Sequence, residues 1–585
     1  MKTVEIPQAL SIQWLREMYM KRAITPEEII SEIIHRASED VEMNIWITPP
    51  AMERMQPYLD RLKTTDPVSL PLWGIPFAIK DNIDLAGVPT TAACPEFANT
   101  PNDHASVVER MIAAGAIPVG KTNLDQFATG LVGTRSPYGE TRNALRPELI
   151  SGGSSSGSAV AVARGHASFA FGTDTAGSGR VPAALNKLIG YKPSLGAWPT
   201  KGVVPACASL DCVTVFTHSL EDALSVDVIA RGVDTADPWS RSLPRTHSRL
   251  PHKLCLPKES PEFYGPYAEK YRQAWLMAVK RLETMNLPIE YIDYDLFSQA
   301  ASILYDGPWV AERWADLSEF VESHPGDVFP VTEQILRSGA SEKYDAASVF
   351  RAMHKLQEYK LAARNLLQNA VLVMPTCGGT WTRDQVRLDP IRTNSDMGRY
   401  TNHCNLLDLC AVAVPAGEAA ADVPFGITLF ALAENEDLIC GAADLFANTA
   451  DSAKGSSAKE TTLVAVCGLH MRGFPLEKQM VEHGAQFVRE AATAAKYQMV
   501  KLPTVPAKPG LIKKQSGGEA IQLEVWEMPL HRFGAFAALI PAPLGIGKVE
   551  LEDGSEVPGF ICEGYAEAGA EDITSFGGWR NIAVT

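Results

Sequence analysis

The stretch that decides the fold is residues 151–182, SGGSSSGSAVAVARGHASFAFGTDTAGSGRVP, in which two loops rich in glycine and serine flank a run of small apolar residues. Composition alone would make each loop a flexible linker, because Gly/Ser tracts usually form unstructured spacers. Two features oppose that interpretation. Residues 159–163 favour a packed helix and 168–172 a strand, and Pro182 suits the first turn of a further helix. We therefore predict two loops anchored to packed elements.

The sequence around this stretch alternates between strand and helix patterns. Apolar residues recur along 73–79 and predict a strand that runs directly into Lys80. A helix and a second strand are predicted over 103–119, and further helices over 266–286 and 308–322. This order indicates an α/β fold with a mixed, largely parallel sheet covered by helices.

The chain has 585 residues, which is more than one domain usually holds. Its composition changes at residues 451–460, DSAKGSSAKE, where polar and small residues predominate. Polar segments of small residues are typical of linkers between domains. We therefore expect a first domain over 1–450 and a second over 461–585. In the second domain, a strand over 462–466, a helix over 476–497 and later strands predict a smaller α+β module.

Composition and charge exclude several classes of partner. The net charge of −16 disfavours nucleic acid and anionic membranes, because phosphate groups bind to basic surfaces. No segment approaches the length of about 18 apolar residues that a membrane span requires. The N-terminal residues lack the apolar core of a signal peptide, so we expect a cytoplasmic protein. The ten cysteines are scattered without zinc-site spacing, which predicts buried reduced thiols and no metal.

Three separated segments together point to a chemistry. They are Lys80 at the end of its predicted strand, GGSSSGS at 152–158, and GTDTAGSGRVPAALNKLIGYKPS at 172–194. This combination resembles the amidase signature family. The resemblance implies a Ser-Ser-Lys triad with Ser178 as the nucleophile, Ser154 as the bridging serine and Lys80 as the base.

The implied triad is consistent with the chemistry of its side chains. A serine hydroxyl is a weak nucleophile until a base removes its proton, and lysine is a base only when burial lowers its pKa from about 10.4 towards 7–8. Ser154 can relay a proton between Lys80 and Ser178, because a hydroxyl both donates and accepts. The resemblance also implies a cis peptide bond between Gly153 and Ser154.

The second loop is expected to stabilise the developing oxyanion. The backbone N–H groups of Thr175, Ala176 and Gly177 precede the predicted helix, which is a suitable place for an oxyanion hole. Two residues depart from the commoner family pattern, since Ala176 replaces Gly and Gly179 replaces Ile. We expect these departures to affect the choice of substrate rather than the reaction.

Further segments resemble the allophanate hydrolase branch of the family. These are DTAGSGRVPA, residues 125–139 (DQFATGLVGTRSPYG) and residues 304–314 (LYDGPWVAERW). The resemblance implies that Gly130 lines the substrate pocket and that Tyr305 and Arg313 hold the substrate carboxylate. A guanidinium suits a carboxylate because paired hydrogen bonds can form. The alternative is that Arg313 is a solvated surface charge.

The second domain contains one candidate residue. The glycine spacing in residues 464–476, VAVCGLHMRGFPL, resembles the binding loop of γ-glutamyl cyclotransferase-like folds. In the allophanate hydrolase branch this module processes the product of the first site. The resemblance therefore implies that His470 is catalytic there.

The predicted function is hydrolysis of the small molecule allophanate to ammonia and N-carboxycarbamate, followed by decarboxylation in the second domain. The resemblance implies a homodimer, and the activated serine needs no metal or organic cofactor. One alternative is a general amidase or an amidotransferase A-type subunit that works on another carboxamide. Another is a non-catalytic scaffold of the amidase fold, which the intact Lys80, Ser154 and Ser178 oppose.

Overall fold

The chain divides into two compact units between Ala453 and Lys454. The computed structural model describes residues 4–243, 248–305, 307–453 and 461–582, without the side chains of residues 305, 450–453 and 531. Most of the predicted linker, residues 454–460, lies outside the described residues. Its first residues, 451–453, belong to the last helix of the first unit.

An 11-stranded sheet forms the centre of the first unit, with the strand order β1-β3-β2-β4-β6-β5-β10-β11-β9-β7-β8. Its strands are β1 (Trp46–Thr48), β2 (Pro76–Lys80), β3 (Ile117–Thr122), β4 (Phe169–Asp174), β5 (Ile189–Lys192), β6 (Cys212–Thr217), β7 (Lys253–Pro257), β8 (Ile289–Ile292), β9 (Ala370–Pro375), β10 (Leu409–Ala420) and β11 (Val423–Leu432). β2 pairs in parallel with β3 and β4, and β7 with β8 and β9, whereas the other neighbouring pairs are antiparallel.

The sheet is therefore mixed, as predicted, but it is not largely parallel. β5 and β6 follow one another through a loop, and β10 and β11 form a hairpin, so neither connection includes the crossover helix that parallel neighbours need. The sequence alternation that predicted parallel pairing holds for β2, β3 and β4.

Helices pack on this sheet, and several contact its central strands. The helices of the first unit are α1 (Ile12–Met20), α2 (Pro26–Glu39), α3 (Met52–Leu62), α4 (Ser106–Ala113), α5 (Ser156–Ala163), α6 (Val181–Leu185), α7 (Leu220–Ala230), α8 (Ala268–Glu283), α9 (Asp295–Tyr305), α10 (Val310–Ser323), α11 (Pro330–Ser338), α12 (Ala346–Leu366), α13 (Arg383–Leu388), α14 (Arg392–Gly398), α15 (His403–Leu406) and α16 (Glu436–Ala453). The helices predicted over 266–286 and 308–322 are α8 and α10. No helix in the described ranges is long and apolar enough to cross a membrane.

The parallel pairing of β2 with β4 positions Lys80. Phe77 lies opposite Phe169 in the register, and their rings stack with centroids 5.2 Å apart. Since parallel strands end at the same edge of a sheet, the last residue of β2 comes beside the end of β4. The Lys80 side chain is fully buried at this edge.

The two Gly/Ser loops are part of the packed interior. Every residue from 151 to 158 is buried. The hydroxyl of Ser155 donates to the carbonyl oxygen of Thr173 at 3.1 Å, and that of Ser158 donates to the carbonyl oxygen of Phe171 at 2.8 Å. These bonds attach the first loop and α5 to β4, so the linker interpretation is wrong.

The second unit contains a five-stranded sheet in the order β13-β16-β12-β18-β17 and a three-stranded sheet in the order β15-β14-β19. Its elements are β12 (Thr461–Val466), α17 (Glu477–Glu482), β13 (Gln486–Ala492), β14 (Tyr497–Leu502), β15 (Lys508–Lys513), β16 (Gln522–Pro529), α18 (Leu530–Ala537), β17 (Leu544–Glu550), β18 (Glu556–Cys562) and β19 (Glu571–Asp572). An apolar core of its own supports this unit.

The helix predicted over 476–497 is wrong beyond its first turns. α17 ends just before Gly484, whose φ of +73° lies in the left-handed region that terminates helices. The residues that follow form β13, which pairs with β16 in an antiparallel register. Pairing with a distant strand therefore overrides the helical pattern of this segment.

A buried ion pair joins the end of β4 to the start of α6. The guanidinium of Arg180 donates from Nε and Nη2 to the two carboxylate oxygens of Asp174, both at 2.9 Å. Burial favours a raised pKa for Asp174, but the charge and hydrogen bonds of Arg180 prevail and leave it lowered. Arg180 also donates to the carbonyl oxygen of Thr401. The ion pair thus fixes the loop between β4 and α6 against a distant part of the chain.

We expect Arg180→Met to lower the free energy of unfolding by about 3–5 kcal/mol, because it leaves a buried carboxylate without its cation. Urea denaturation followed by circular dichroism measures this difference. The control is Arg272→Met, which breaks a solvent-exposed ion pair with Glu269 and should leave the free energy of unfolding nearly unchanged. Equal losses in the two variants would contradict the proposed role of the Asp174–Arg180 pair.

Candidate active sites

Lys80 and Ser154 are in direct contact. Lys80 is fully buried, and its Nζ donates at 2.7 Å to Ser154 Oγ and at 2.7 Å to Thr173 Oγ1. The peptide bond between Gly153 and Ser154 is cis, as the family resemblance implied. The base and the bridging serine of the predicted triad therefore meet at the carboxyl ends of β2 and β4.

Burial makes Lys80 a usable base. Desolvation lowers the pKa of its amine from 10.5 to about 7, and the nearby carboxylates Asp125, Asp211 and Asp174 limit the shift. A substantial neutral fraction of the amine is then present near neutral pH. Neutral Lys80 can accept a proton from the hydroxyl that it contacts.

Ser178 lies in the loop that follows β4, and its side chain is 3% exposed. Among the described residues, it makes no hydrogen bond to Lys80 or to Ser154. Gly177 beside it has a φ of +144°, and a Cβ there would lie 2.3 Å from Thr401 Oγ1. Only glycine therefore fits at position 177, and its backbone conformation forms the turn that precedes Ser178.

The predicted oxyanion loop is fixed by a side-chain contact. The hydroxyl of Thr175 donates to the Asp211 carboxylate at 2.5 Å. Within the described part of the chain, the backbone N–H groups of Thr175, Ala176 and Gly177 have no hydrogen-bond acceptor. Their use as an oxyanion hole stays a prediction.

The departure at Gly179 has a packing reason. A Cβ at this position would lie 2.5 Å from Thr214 Oγ1 on β6, so a larger residue cannot be accommodated without movement of the strand. Gly179 also donates its N–H to Asp174. This residue therefore faces the packed interior of the sheet, and its link to substrate choice stays a prediction.

A buried carboxylate that was not predicted from the sequence organises the loop of residues 130–135. Asp125 accepts hydrogen bonds from the backbone N–H groups of Val132, Gly133 and Arg135 at 2.9 to 3.2 Å. Gly130 packs on the same carboxylate, since a Cβ there would lie 2.6 Å from Asp125 Oδ2. Asp125 begins one of the segments that resemble the allophanate hydrolase branch, but only the folded chain shows which donors it accepts from.

Arg313 is not a solvated surface charge. Its side chain is 1% exposed, and its Nη1 donates to Thr129 Oγ1 at 2.7 Å. The adjacent Glu312 accepts two hydrogen bonds from Ser209. Tyr305 is the last residue of α9, and its side chain lies outside the described part of the structure. Arg313 thus bonds to the residue that precedes Gly130 in the chain. That Arg313, Tyr305 and Gly130 share a substrate pocket stays a prediction.

The second unit contains a cavity of about 230 Å³ lined in part by Gly468, His470, Gln479 and Lys508. His470 is 7% exposed, and its Nε2 lies 2.9 Å from Gln479 Oε1. Burial lowers the pKa of His470, Lys508 lowers it further, and the bond to Gln479 opposes the shift. The lowered pKa favours the neutral form of the imidazole, which lines the cavity together with Lys508. Neither Gln479 nor Lys508 was singled out from the sequence.

Each of the two units matches the model of a known protein family. The amidase family model matches residues 28–440, and the model of the allophanate hydrolase C-terminal domain matches residues 462–583. The urea amidolyase of Saccharomyces cerevisiae is 40% identical over 617 residues, which cover 99% of this chain and 33% of the relative. The solved structure of Kluyveromyces lactis allophanate hydrolase is 37% identical, with a TM-score of 0.75 and 99% of both chains covered.

Relatives with a different name match about two thirds of the chain. A glutamyl-tRNA(Gln) amidotransferase subunit from a Synechococcus strain is 32% identical over 416 residues, covering 66% of this chain and 85% of the relative. This chain spans about a third of the length of the urea amidolyases that it matches, namely 33% and 30%. On these matches the chain belongs to the amidase family, whose members hydrolyse amide carbon–nitrogen bonds, and it includes an allophanate hydrolase C-terminal domain.

Proposed function

We propose that the first unit hydrolyses allophanate to ammonia and N-carboxycarbamate, and that the second unit decarboxylates the N-carboxycarbamate. The observation that carries the first part is the buried Lys80 amine, which lies 2.7 Å from Ser154 Oγ and has a pKa of about 7. The relatives named urea amidolyase and allophanate hydrolase support the choice of substrate.

In the proposed mechanism, neutral Lys80 accepts a proton from Ser154, which accepts one from Ser178. Ser178 Oγ then attacks the carbonyl carbon of the terminal amide of allophanate. The backbone N–H groups of Thr175, Ala176 and Gly177 stabilise the oxyanion. The same proton path returns a proton to the leaving nitrogen, so that ammonia departs. Water then hydrolyses the resulting ester of Ser178 and releases N-carboxycarbamate.

Arg313 supplies the anchor that allophanate requires. Its planar guanidinium can hold the terminal carboxylate through paired hydrogen bonds, and burial strengthens such bonds. Tyr305 is proposed to assist, and Gly130 to line the pocket. A simple carboxamide has no group that would use this arginine, which favours allophanate over the substrates of general amidases.

In the second unit, we assign the cavity beside His470 to N-carboxycarbamate. This product carries two carboxylates, and the Lys508 cation that lines the cavity can pair with one of them. If Gln479 accepts a hydrogen bond from Nε2, the Nδ1 atom of the imidazole retains its lone pair. Loss of carbon dioxide breaks a carbon–nitrogen bond, and the nitrogen takes up one proton. Nδ1 of His470 can accept that proton from solvent water and pass it to the nitrogen. A cytoplasmic homodimer remains the proposal for the state of the protein.

We expect Ser178→Ala to reduce ammonia release from allophanate by about 10⁴-fold or more, because the nucleophile is removed. Assays with allophanate, biuret, malonamate and simple amides measure both the loss and the substrate preference of the native protein. The control is Ser302→Ala, which alters a hydroxyl that donates to the carbonyl oxygen of Gln299. Substantial activity in the Ser178→Ala variant would contradict the proposed nucleophile.

We expect kcat/KM for ammonia release to rise with pH and to level off above a pKa of about 7, because Lys80 must lose its proton to act as a base. Steady-state kinetics in buffers of constant ionic strength measure the profile. Lys80→Arg is the matched variant, since arginine stays protonated throughout this range and should be inactive at every pH. An activity that falls as pH rises through this range would contradict the assignment of the base.

We expect His470→Ala to leave the first release of ammonia unchanged but to slow the release of carbon dioxide, because the two steps use separate sites. Stopped-flow detection of the two products separates them. His483→Ala is the control, as its ring also packs on Phe536 and its Nδ1 contacts the carbonyl oxygen of Gln479. Equal rates of carbon dioxide release in both variants would overturn the role of His470.

A further inference from the structure

The loop of residues 203–211 lies between β5 and β6 and contacts three parts of the proposed first site. At its start, Val204 donates its N–H to the carbonyl oxygen of Asn82 at 2.8 Å, and Asn82 Nδ2 donates to the carbonyl oxygen of Val204 at 3.0 Å. Asn82 follows the strand that ends in Lys80. This end of the loop is therefore attached to the segment that carries the base.

The end of the same loop is attached to the segment that carries the nucleophile. Asp211 accepts hydrogen bonds from Thr175 Oγ1 at 2.5 Å and from the backbone N–H groups of Ala206 at 2.7 Å and Cys207 at 3.2 Å. One carboxylate thus closes the loop on itself and joins it to the predicted oxyanion loop. Movement of residues 203–211 would consequently move Thr175.

The middle of the loop is attached to α10. Ser209 donates its backbone N–H to Glu312 Oε1 at 2.8 Å and its hydroxyl to Glu312 Oε2 at 2.7 Å. Two hydrogen bonds to one ionised carboxylate are stronger and more directional than a single neutral bond. Because Glu312 lies in the first turn of α10, this contact fixes both the position and the rotation of that turn.

Arg313 follows Glu312 directly, so a contact that fixes this turn of α10 also restricts the backbone from which the Arg313 guanidinium reaches Thr129. We propose that Ser209 and Glu312 are positioning residues that hold Arg313 at a set distance from the nucleophile loop. The inference rests on the proposed function, in which Arg313 binds the substrate carboxylate. Neither Ser209 nor Glu312 touches the reacting atoms in this proposal.

An effect of charge alone and an effect on the position of Arg313 predict opposite changes in substrate binding when the Glu312 carboxylate is removed. Its carboxylate is negative and adjoins the site of an anionic substrate, so its removal should improve substrate binding if electrostatics were the only effect. If Glu312 positions Arg313, its removal should weaken binding instead. Ser209→Ala tests the same contact without any change of charge.

The test measures KM and kcat for allophanate in Ser209→Ala, Glu312→Gln and Arg313→Ala, together with the rate at which a neutral fluorophosphonate labels Ser178. We expect Ser209→Ala and Glu312→Gln to raise KM by about 10- to 100-fold, since small displacements of a binding group have effects of this size. The kcat value and the labelling rate should stay close to those of the native protein. The matched control is Glu319→Gln, which removes a charge from an exposed position of the same helix.

Each other outcome overturns the inference. An unchanged or lower KM in both Ser209→Ala and Glu312→Gln would exclude positioning of Arg313. A parallel loss of kcat and of Ser178 labelling would show a general structural role instead. If Arg313→Ala raises KM while the other two variants do not, the inference fails and the proposed function stands. If Arg313→Ala leaves KM unchanged, the proposed carboxylate anchor itself is wrong.

Discussion

The burial of one amine at the end of β2 is the constraint on which the first unit depends. A lysine in this position is costly, because desolvation disfavours its charged form. Burial lowers the pKa of Lys80 to about 7, so the neutral amine becomes accessible. Hydrogen bonds from Nζ to the hydroxyl groups of Ser154 and Thr173 replace those that the amine would make with water. Desolvation therefore disfavours the charged amine and at the same time favours the neutral form that the proposed mechanism uses as a base.

Three buried carboxylates around Lys80 have a double role. Asp125 accepts hydrogen bonds from the loop of residues 130–135, and Asp174 binds Arg180 at the start of α6. Asp211 accepts a hydrogen bond from Thr175 in the predicted oxyanion loop. These same groups limit the fall of the pKa of Lys80. Loop geometry and the basicity of the amine are therefore coupled, since removal of any of these carboxylates would alter both.

The second unit shows how strongly distant pairing can override a local pattern. The segment after α17 has helical periodicity, but Gly484 ends the helix and β16 supplies a partner for β13. The same principle explains why the first sheet contains more antiparallel pairs than the alternation of strands and helices indicated. Loop-connected strands such as β5 and β6 pair directly with one another.

The sequence by itself determined the elements next to the motifs, namely the strand β2 that ends in Lys80, the strand β4 between the Gly/Ser loops, and the helix α6 that includes Pro182. These elements depend on local periodicity and on residues whose backbone preferences are strong. Three contacts were decided only by the tertiary structure. Buried Arg313 donates a hydrogen bond to Thr129, Asp125 accepts hydrogen bonds from the loop of residues 130–135, and Ser209 donates hydrogen bonds to Glu312. The partners in these contacts are distant in the sequence or have no pattern of their own, and burial and hydrogen bonding exist only once the chain has folded.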